Sequence, residues 1–523
     1  MGIYLNPDAK RFNESRASKI YVDKTGLIAY TNSVINTEQK FVCVSRPRRF
    51  GKSMAIGMLS AYYNCELDTR SLFSDLEISK DPSFENYLNH YEVIHIDMQE
   101  FLSQNPTISG MLDDISRCLL WELTKKFPDI QYFDPNNLVR SMRDIYAATN
   151  HTFIILIDEW DCLFREFKED KEGQKQYLDF LRTWLKEKPY VALAYMTGIL
   201  PIKKYGSHSA LNMFSEFSMT TPKGLAEYVG FTEPEVQKLC LTYHMDFDEM
   251  KAWYDGYAFA NTPSVYSPKS VVEALTWNSF DTYWNQTETY EALKIYIQMN
   301  YDGLKDAIIE MMLGQKIVID TGSFQNDMTS FSCRDDVLTL LVHLGYLSYN
   351  SSENTVCIPN REILCEYDTA IKHSGWQEII NAINASQKLL NDILNLDEKA
   401  VAAAIDEAHM QTSILQYNNE TALSYTISLA LYSAKEYYTA IRELPSGKGF
   451  ADLCFIPRPG HVDKPALVVE LKWDKTAAGA IEQIKKRQYI KALEAYQGNL
   501  LLVGINYNKS SKKHTCTIEK MNY

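Results

Sequence analysis

The sequence predicts an α/β protein built on a parallel sheet, with a mainly helical middle and a second α/β module at its C-terminal end. Three observations carry this prediction. Strand-like and helix-like runs alternate over residues 1 to about 205. A tight basic loop, Arg46-Pro-Arg-Arg-Phe-Gly-Lys-Ser53, joins an apolar run to a helix-like one. A new set of strand-like runs with a long helix among them begins beyond residue 400. Alternation at this spacing argues for parallel strands covered by helices, with right-handed crossovers that bring the strand ends to one edge.

The first strand is Phe41–Ser45, and the helix after the loop runs from Met54 to Tyr63. A strand, a loop ending Gly-Lys-Ser and a helix form the layout of a nucleotide phosphate-binding loop. Gly51 lets the backbone approach phosphate oxygens, and the helix start offers N–H groups and a partial positive charge. Lys52 would reach the β- and γ-phosphates, and the Ser53 hydroxyl would hold Mg²⁺. The usual pattern has a glycine where Arg46 stands, and a basic turn capping a helix is the plainer reading of Gly-Lys-Ser alone.

A second element weighs against that plainer reading. Phe153-Ile-Ile-Leu-Ile-Asp-Glu159 reads as a buried parallel strand delivering two carboxylates at its C-terminal end, the edge where ligands bind in open α/β sheets. Asp158 would hold the Mg²⁺ shell and Glu159 would polarise the attacking water. Strands are also expected at Val93–Asp97 and Val191–Thr197, with helices over Ser109–Lys126 and Asn137–Ala148. Thr197 ends its strand beside the acidic one. It contacts the γ-phosphate or the water, or it caps the next turn. Lys203 and Lys204 are read as solvated.

Residues 206 to about 400 read as mainly helical. Thr232 is an N-cap, with Pro234 in the first turn and Glu233 and Glu235 matching the dipole. Trp253-Tyr-Asp-Gly-Tyr257 is an aromatic turn whose rings pack a core or lid. In the C-terminal module a helical run begins near Glu420. Strands follow at Phe450–Ile456, Ala466–Lys472 and Asn499–Ile505, with a long helix at about Ala477–Tyr496 and a basic tail at the end. Period two puts Glu470 and Lys472 on one strand face, with Asp452 across a hairpin-like connection. Two carboxylates and an ammonium suit metal-assisted phosphodiester hydrolysis: the acids take Mg²⁺, and the lysine orients the nucleophile or neutralises charge. Glu420 could add a further acid. An edge strand carrying Glu and Lys for solubility is the plainer alternative.

Composition sets the bounds. A chain of 523 residues allows two to four domains, and 46% hydrophobic residues with 34 tyrosines supply large cores. No apolar run approaches the ~20 residues that span a bilayer, and the start lacks the pattern of a secretion signal, so a soluble cytoplasmic protein without membrane contact is expected. The ten cysteines form no Cys-x-x-Cys pair, which argues against a zinc cluster and fits a reducing compartment. The net charge of −14 argues against a nucleic-acid partner at first sight. Residues 413–523, however, carry 15 Lys and Arg against 10 Asp and Glu, which permits phosphate-backbone contact there.

As an ordered set, these motifs resemble a known pair of families. The loop from Arg46 to Ser53, Tyr21-Val-Asp-Lys-Thr25, Ile155-Leu-Ile-Asp-Glu159 and Thr197-Gly-Ile-Leu-Pro-Ile-Lys203 resemble the bacterial AAA-ATPase-like family. Gly449-Phe-Ala-Asp452, Glu470-Leu-Lys472 and Ala480-Ile-Glu-Gln-Ile484 resemble the PD-(D/E)XK nuclease-like domain that this family carries at its C-terminus. The resemblance implies a P-loop NTPase domain over 1–205, a helical lid or linker over 206–400, and a restriction-endonuclease-like domain over 401–523. It implies ATP and Mg²⁺ as cofactors. The implied nucleotide site comprises Arg46, Arg49, Gly51, Lys52, Ser53, Asp158 and Thr197, with Glu159 catalytic. The implied nuclease core is Asp452, Glu470 and Lys472, with Glu420 on the first helix and Gln483 and Tyr489 on the helix after it. DNA or RNA is the implied partner, in a chain that could form homo-oligomers. Two readings stay open: an ATPase that cuts nucleic acid, and an ATP-switched protein whose nuclease-like fold only binds nucleic acid or protein.

Overall fold

The computed structural model describes residues 2–202, 211–259, 262–284, 290–299, 301–325, 328–329, 331–373, 376–411, 427, 430–446, 449–458, 461–486 and 499–521. The chain divides into two compact units, residues 1–307 with 314–367, and residues 308–313 with 368–523.

The first unit is built on five strands: β1 (Phe41–Ser45), β2 (Glu92–Asp97), β3 (Phe153–Asp158), β4 (Val191–Gly198) and β5 (Ser215–Phe217). They lie in the order β2-β3-β4-β1-β5, and every pair is parallel. Every residue of β1, β3 and β4 is buried. Their near-continuous apolar runs fit that position, because strands covered on both faces cannot alternate with polar residues. The crossover helices start where side chains cap them. Asp97 accepts from Gln99 N at 3.0 Å, Thr107 from Gly110 N at 3.1 Å and Asn137 from Arg140 N at 3.1 Å.

Two small sheets interrupt the mainly helical stretch that follows. One joins β6 (Phe231–Thr232), β8 (Thr262–Tyr266) and β7 (Tyr257–Phe259); the other joins β10 (Ser348–Asn350), β11 (Thr355–Cys357) and β9 (Ile317–Val318). The helix Glu233–Tyr243 opens with a capping box between Thr232 and Glu235, as its sequence predicts. The aromatic turn packs inward: Tyr254 and Tyr257 are buried, and Tyr257 Oη donates to Gly345 O at 2.6 Å. Gly256, at φ +115°, lies so close to the Pro359 carbonyl that no side chain fits there.

The second unit carries β12 (Tyr438–Ser446), β13 (Gly449–Pro457), β14 (Ala466–Trp473), β15 (Leu500–Asn508) and β16 (Lys513–Met521), in that order across one sheet. Only β14 and β15 run parallel. The helix Ala477–Lys486 lies between them in the chain, as a parallel crossover requires. The expected basic tail is corrected here: Lys513–Met521 pairs with β15 along its length, because His514, Cys516 and Ile518 alternate inward. Both sheet faces are covered. Ile481 and Ile484 pack with Cys454, Val468 and Leu502, whereas Leu390, Ile393, Val401 and Ile405 pack in a cluster with Leu453, Val469 and Val503. Adjacent residues of β14 thus serve opposite cores, and its sequence is apolar without alternation.

One buried acid ties the middle stretch together. Glu362 Oε1 accepts from Tyr283 N (2.7 Å) and Trp284 N (2.9 Å), and Oε2 from Ser270 Oγ (2.8 Å). Burial outweighs these donors and pushes the Glu362 pKa up to about 7. A carboxylic acid raised in the folded state binds its proton more tightly there than in the unfolded chain. Its stabilising share is therefore complete below the unfolded pKa and is lost as pH rises through about 7. Glu362→Gln should flatten the fall in stability between about pH 4.5 and pH 7, as measured by urea unfolding across that range.

Candidate functional site

The loop after β1 is shaped by two residues in left-handed backbone, Arg49 at φ +68° and Gly51 at φ +92°. Such turns point successive N–H groups into one concavity, an anion-binding arrangement. Gly51 is the N-cap of the helix Lys52–Tyr63 and supplies no side-chain cap, so the helix presents its first N–H groups outward. Gly51, Lys52 and Ser53 border a cleft of about 880 Å³. Lys24, Arg48, Arg49, Lys52, Arg165 and Lys269 line that cleft, against Asp97, Glu159 and Glu166. The local excess of cations suits a polyphosphate even though the chain as a whole carries −14.

Lys52 is 4% exposed, with Nζ donating to Pro47 O at 2.9 Å. Burial lowers its pKa, and Glu159, Asp158 and Asp161 oppose that shift, so the ammonium and the β3 carboxylates share one site. Asp158 is fully buried. Its Oδ1 accepts from Thr197 Oγ1 at 2.5 Å and from Glu159 N at 3.0 Å. Its Oδ2 is buried without a hydrogen-bond partner. A buried carboxylate oxygen left over in this way fits a hard cation, which takes oxygen ligands. Glu159 stands in left-handed backbone at φ +50° and pairs with Arg165. Burial raises its pKa first of all, and Lys52 pulls it down.

Arg46 and Thr197 are, like Asp158, fully buried. Arg46 is bonded within the fold through one of its nitrogens. Its guanidinium is fully buried behind the loop, donates to Ser45 O (2.9 Å) and Phe217 O (3.1 Å), and lies 5.1 Å from the Phe259 ring centroid. Burial lowers its pKa to about 10. Its backbone N–H is also taken, by Gly198 O at 3.0 Å. Thr197 is fully buried, and its hydroxyl orients Asp158.

Three further residues belong to this site and were not singled out from sequence. Asp97 pairs in register with Asp158 across β2 and β3, and burial followed by Asp158 raises its pKa. Asp161 accepts from Ile199 N (3.2 Å) and Leu200 N (2.9 Å), joining the exits of β3 and β4. Arg165 reaches both Glu159 and Asp161. The signals were present: an acid closing a predicted strand, and an Asp161–Arg165 spacing that puts both on one helical face.

In the second unit, Leu453 pairs with Val469, so the next step along the antiparallel register brings Asp452 opposite Glu470. Asp452 Oδ2 accepts from Leu471 N at 2.7 Å. Lys472 Nζ donates to Glu470 Oε1 at 2.9 Å, and Gln483 Nε2 bonds the same oxygen. The period-two placement of Glu470 and Lys472 therefore brings them together on the face that meets the helix Ala477–Lys486. Two carboxylates opposed on neighbouring strands are a donor set of the kind Mg²⁺ takes. Among the described residues no group of three His, Cys, Asp or Glu side chains could hold a metal ion. Glu420 and Tyr489, like Lys203 and Lys204, lie outside the described residues. Among the described residues, no helix is long and apolar enough to cross a membrane.

Comparison with known proteins agrees with this division. Residues 10–207 match the family described as "Predicted AAA-ATPase", and residues 406–517 match the PD-(D/E)XK nuclease superfamily. The chain is similar to "Uncharacterized protein in vnfD 5'region" of Azotobacter chroococcum mcd 1, 24% identical over 286 residues. That match spans 51% of this chain and 51% of the other, so the chain covers about half the length of this curated protein. Among solved structures it is similar to the Walker-type ATPase of Pyrococcus abyssi, with 14% identity, 69% of this chain and 94% of that one covered, and a TM-score of 0.32. It is also similar to the Aeropyrum pernix ORC1 protein in complex with DNA, with 12% identity, 88% and 96% covered, and a TM-score of 0.24.

The bonding of Arg46 within the fold has a measurable signature. Arg46→Ala should lower stability by about 3 kcal/mol in urea unfolding, through a cavity and a stranded Phe217 carbonyl. Nucleotide affinity of the folded variant should fall less than about tenfold, under 1.4 kcal/mol, in titration with a fluorescent ATP analogue.

Proposed function

The chain carries an AAA-ATPase-like domain followed by a PD-(D/E)XK nuclease-like domain, and from that premise we propose that it binds and hydrolyses ATP at the first and cleaves nucleic acid at the second. The observation that carries the ATPase reading is the single cleft bordered by Lys52, Ser53 and Glu159 beside a left-handed Gly51. In this reading Lys52 binds the β- and γ-phosphates, Arg49 and the Gly51 turn cradle them, and Ser53 and Asp158 hold Mg²⁺. Thr197 fixes the Asp158 carboxylate, and Glu159 accepts a proton from the attacking water. Burial raises its pKa, which makes the carboxylate a stronger base. The functional domains in this reading are 1–205, 206–400 and 401–523, in a bacterial cytoplasmic protein able to form homo-oligomers.

At the C-terminal site Asp452, Glu470 and Glu420 are the proposed metal acids, and Lys472 orients the nucleophile. Metal ions held at the two centres would neutralise phosphate charge and activate water. The partner is DNA or RNA. ATP binding gates the cleavage. One observation favours a second reading, an ATP-switched binding protein: Lys472 and Gln483 both occupy Glu470 Oε1.

Glu159→Gln should keep ATP binding while turnover falls at least about a hundredfold, and Lys52→Ala should lose binding itself; phosphate release and nucleotide titration separate the two. Mg²⁺-dependent cutting of DNA or RNA should vanish in Asp452→Ala and in Lys472→Ala. If the wild-type chain binds ATP but leaves every substrate intact with each divalent metal, the cleavage half is wrong and the binding reading stands.

A further inference from the structure

We propose that Arg165 is a cis-acting cation of the nucleotide site, one that holds Glu159 in the nucleotide-free chain and passes to the terminal phosphate when a nucleoside triphosphate enters. The inference rests on the ATPase reading above and assigns a residue that neither the loop motif nor the strand motif contains.

Arg165 lies on the short helix Cys162–Glu166, directly after the acidic end of β3. Its side chain is 9% exposed, yet it borders the same cleft as Lys52 and Glu159. Among the described residues, two carboxylates meet the guanidinium. Nη2 pairs with Glu159 Oε2, and Nε lies 3.4 Å from Asp161 Oδ2. These two carboxylates are not equivalent. Asp161 is fully buried and fixed by the Ile199 and Leu200 amides, so it anchors the root of the guanidinium. Glu159 is half-buried at the cleft wall and stands in left-handed backbone that non-glycine residues rarely adopt. The arrangement is an anchored cation whose outer nitrogen can change partners while its inner nitrogen stays beside Asp161.

The resting pair has a chemical consequence. A Glu159 carboxylate occupied by a guanidinium is a poor acceptor for a water proton. A terminal phosphate carries more charge than a carboxylate and offers the fork of a guanidinium a matching set of oxygens. A nucleoside triphosphate in the cleft therefore competes for Arg165, and its success frees Glu159. A diphosphate lacks that terminal group and leaves the pair in place. Arg165 is thus a positioning residue for Glu159 in the resting chain and a phosphate ligand in the loaded one.

The test compares ADP with a non-hydrolysable ATP analogue in the full chain. Arg165→Ala should lower the ATPase kcat about a hundredfold or more. It should weaken the analogue about tenfold while ADP affinity changes less than about threefold. Arg165→Lys, which keeps the charge without the fork, should restore part of kcat. Glu159→Gln gives an independent reading that does not depend on Arg165→Ala folding. With the resting pair weakened, it should bind the analogue more tightly than the wild type and bind ADP equally. A wild-type kcat in Arg165→Ala, equal losses for ADP and the analogue, or no tightening in Glu159→Gln would overturn the assignment. A wild-type chain that binds no nucleotide would instead overturn the ATPase reading beneath it.

Discussion

The candidate nucleotide site depends on one backbone junction, the turn at the end of β4. Thr197 Oγ1 donates to Asp158, and Thr197 O accepts from Trp160 N at 3.0 Å. Gly198 O accepts from Arg46 N, Leu200 O accepts from Ser45 Oγ at 2.9 Å, and the Ile199 and Leu200 amides hold Asp161. Four consecutive residues thus bond the phosphate loop on one side and the β3 acids on the other. The strand order explains why, since β4 lies between β1 and β3 and their C-terminal ends share an edge. Gly198 is required at the junction: a β-carbon there would stand 2.5 Å from Asp161 Oδ1 and 2.6 Å from the Trp160 ring.

This junction lets charges of both signs be buried together. Asp158 and Asp161 are fully buried, and Lys52 is nearly so. A buried ion is costly unless each of its atoms meets a partner. Backbone amides and a threonine hydroxyl bond Asp158 Oδ1 and both oxygens of Asp161, whereas Asp158 Oδ2 is left over. Lys52 donates to a loop carbonyl and Arg165 to a carboxylate, bonds that an incoming phosphate can replace in kind. The rigid part of the site is held by main chain, and its exchangeable part by long side chains.

What the sequence made legible follows from these energetics. The strands Phe41–Ser45 and Phe153–Asp158 were readable to the residue because doubly covered strands must be apolar throughout. Glu470 and Lys472 were readable as a pair because strand geometry fixes which residues share a face. The surroundings of Arg46 were not legible, because its burial against Phe217 and Phe259 comes from residues over 170 positions away. Asp161 and Arg165 were missed for the opposite reason. Their partners are backbone amides after β4 and a neighbouring acid, and hydrogen bonds to main chain leave no mark on composition. The small sheets of the middle stretch escaped because strands of two to five residues carry too few side chains for a period to register.

The two candidate sites differ in how they hold the acid proposed for each. Glu159 borders a wide cleft, and a single arginine holds it. Glu470 is 1% exposed, and both a lysine and a glutamine bind one of its oxygens. Removing either donor without replacing it would leave charge in a low-dielectric core, so the cage resists partial opening. Because Gln483 belongs to the helix Ala477–Lys486, whose Ile481 and Ile484 pack on Val468 and Leu502, the carboxylate and the helix are fixed by one another. Access to Glu470 from that side is therefore coupled to the packing of the whole crossover helix.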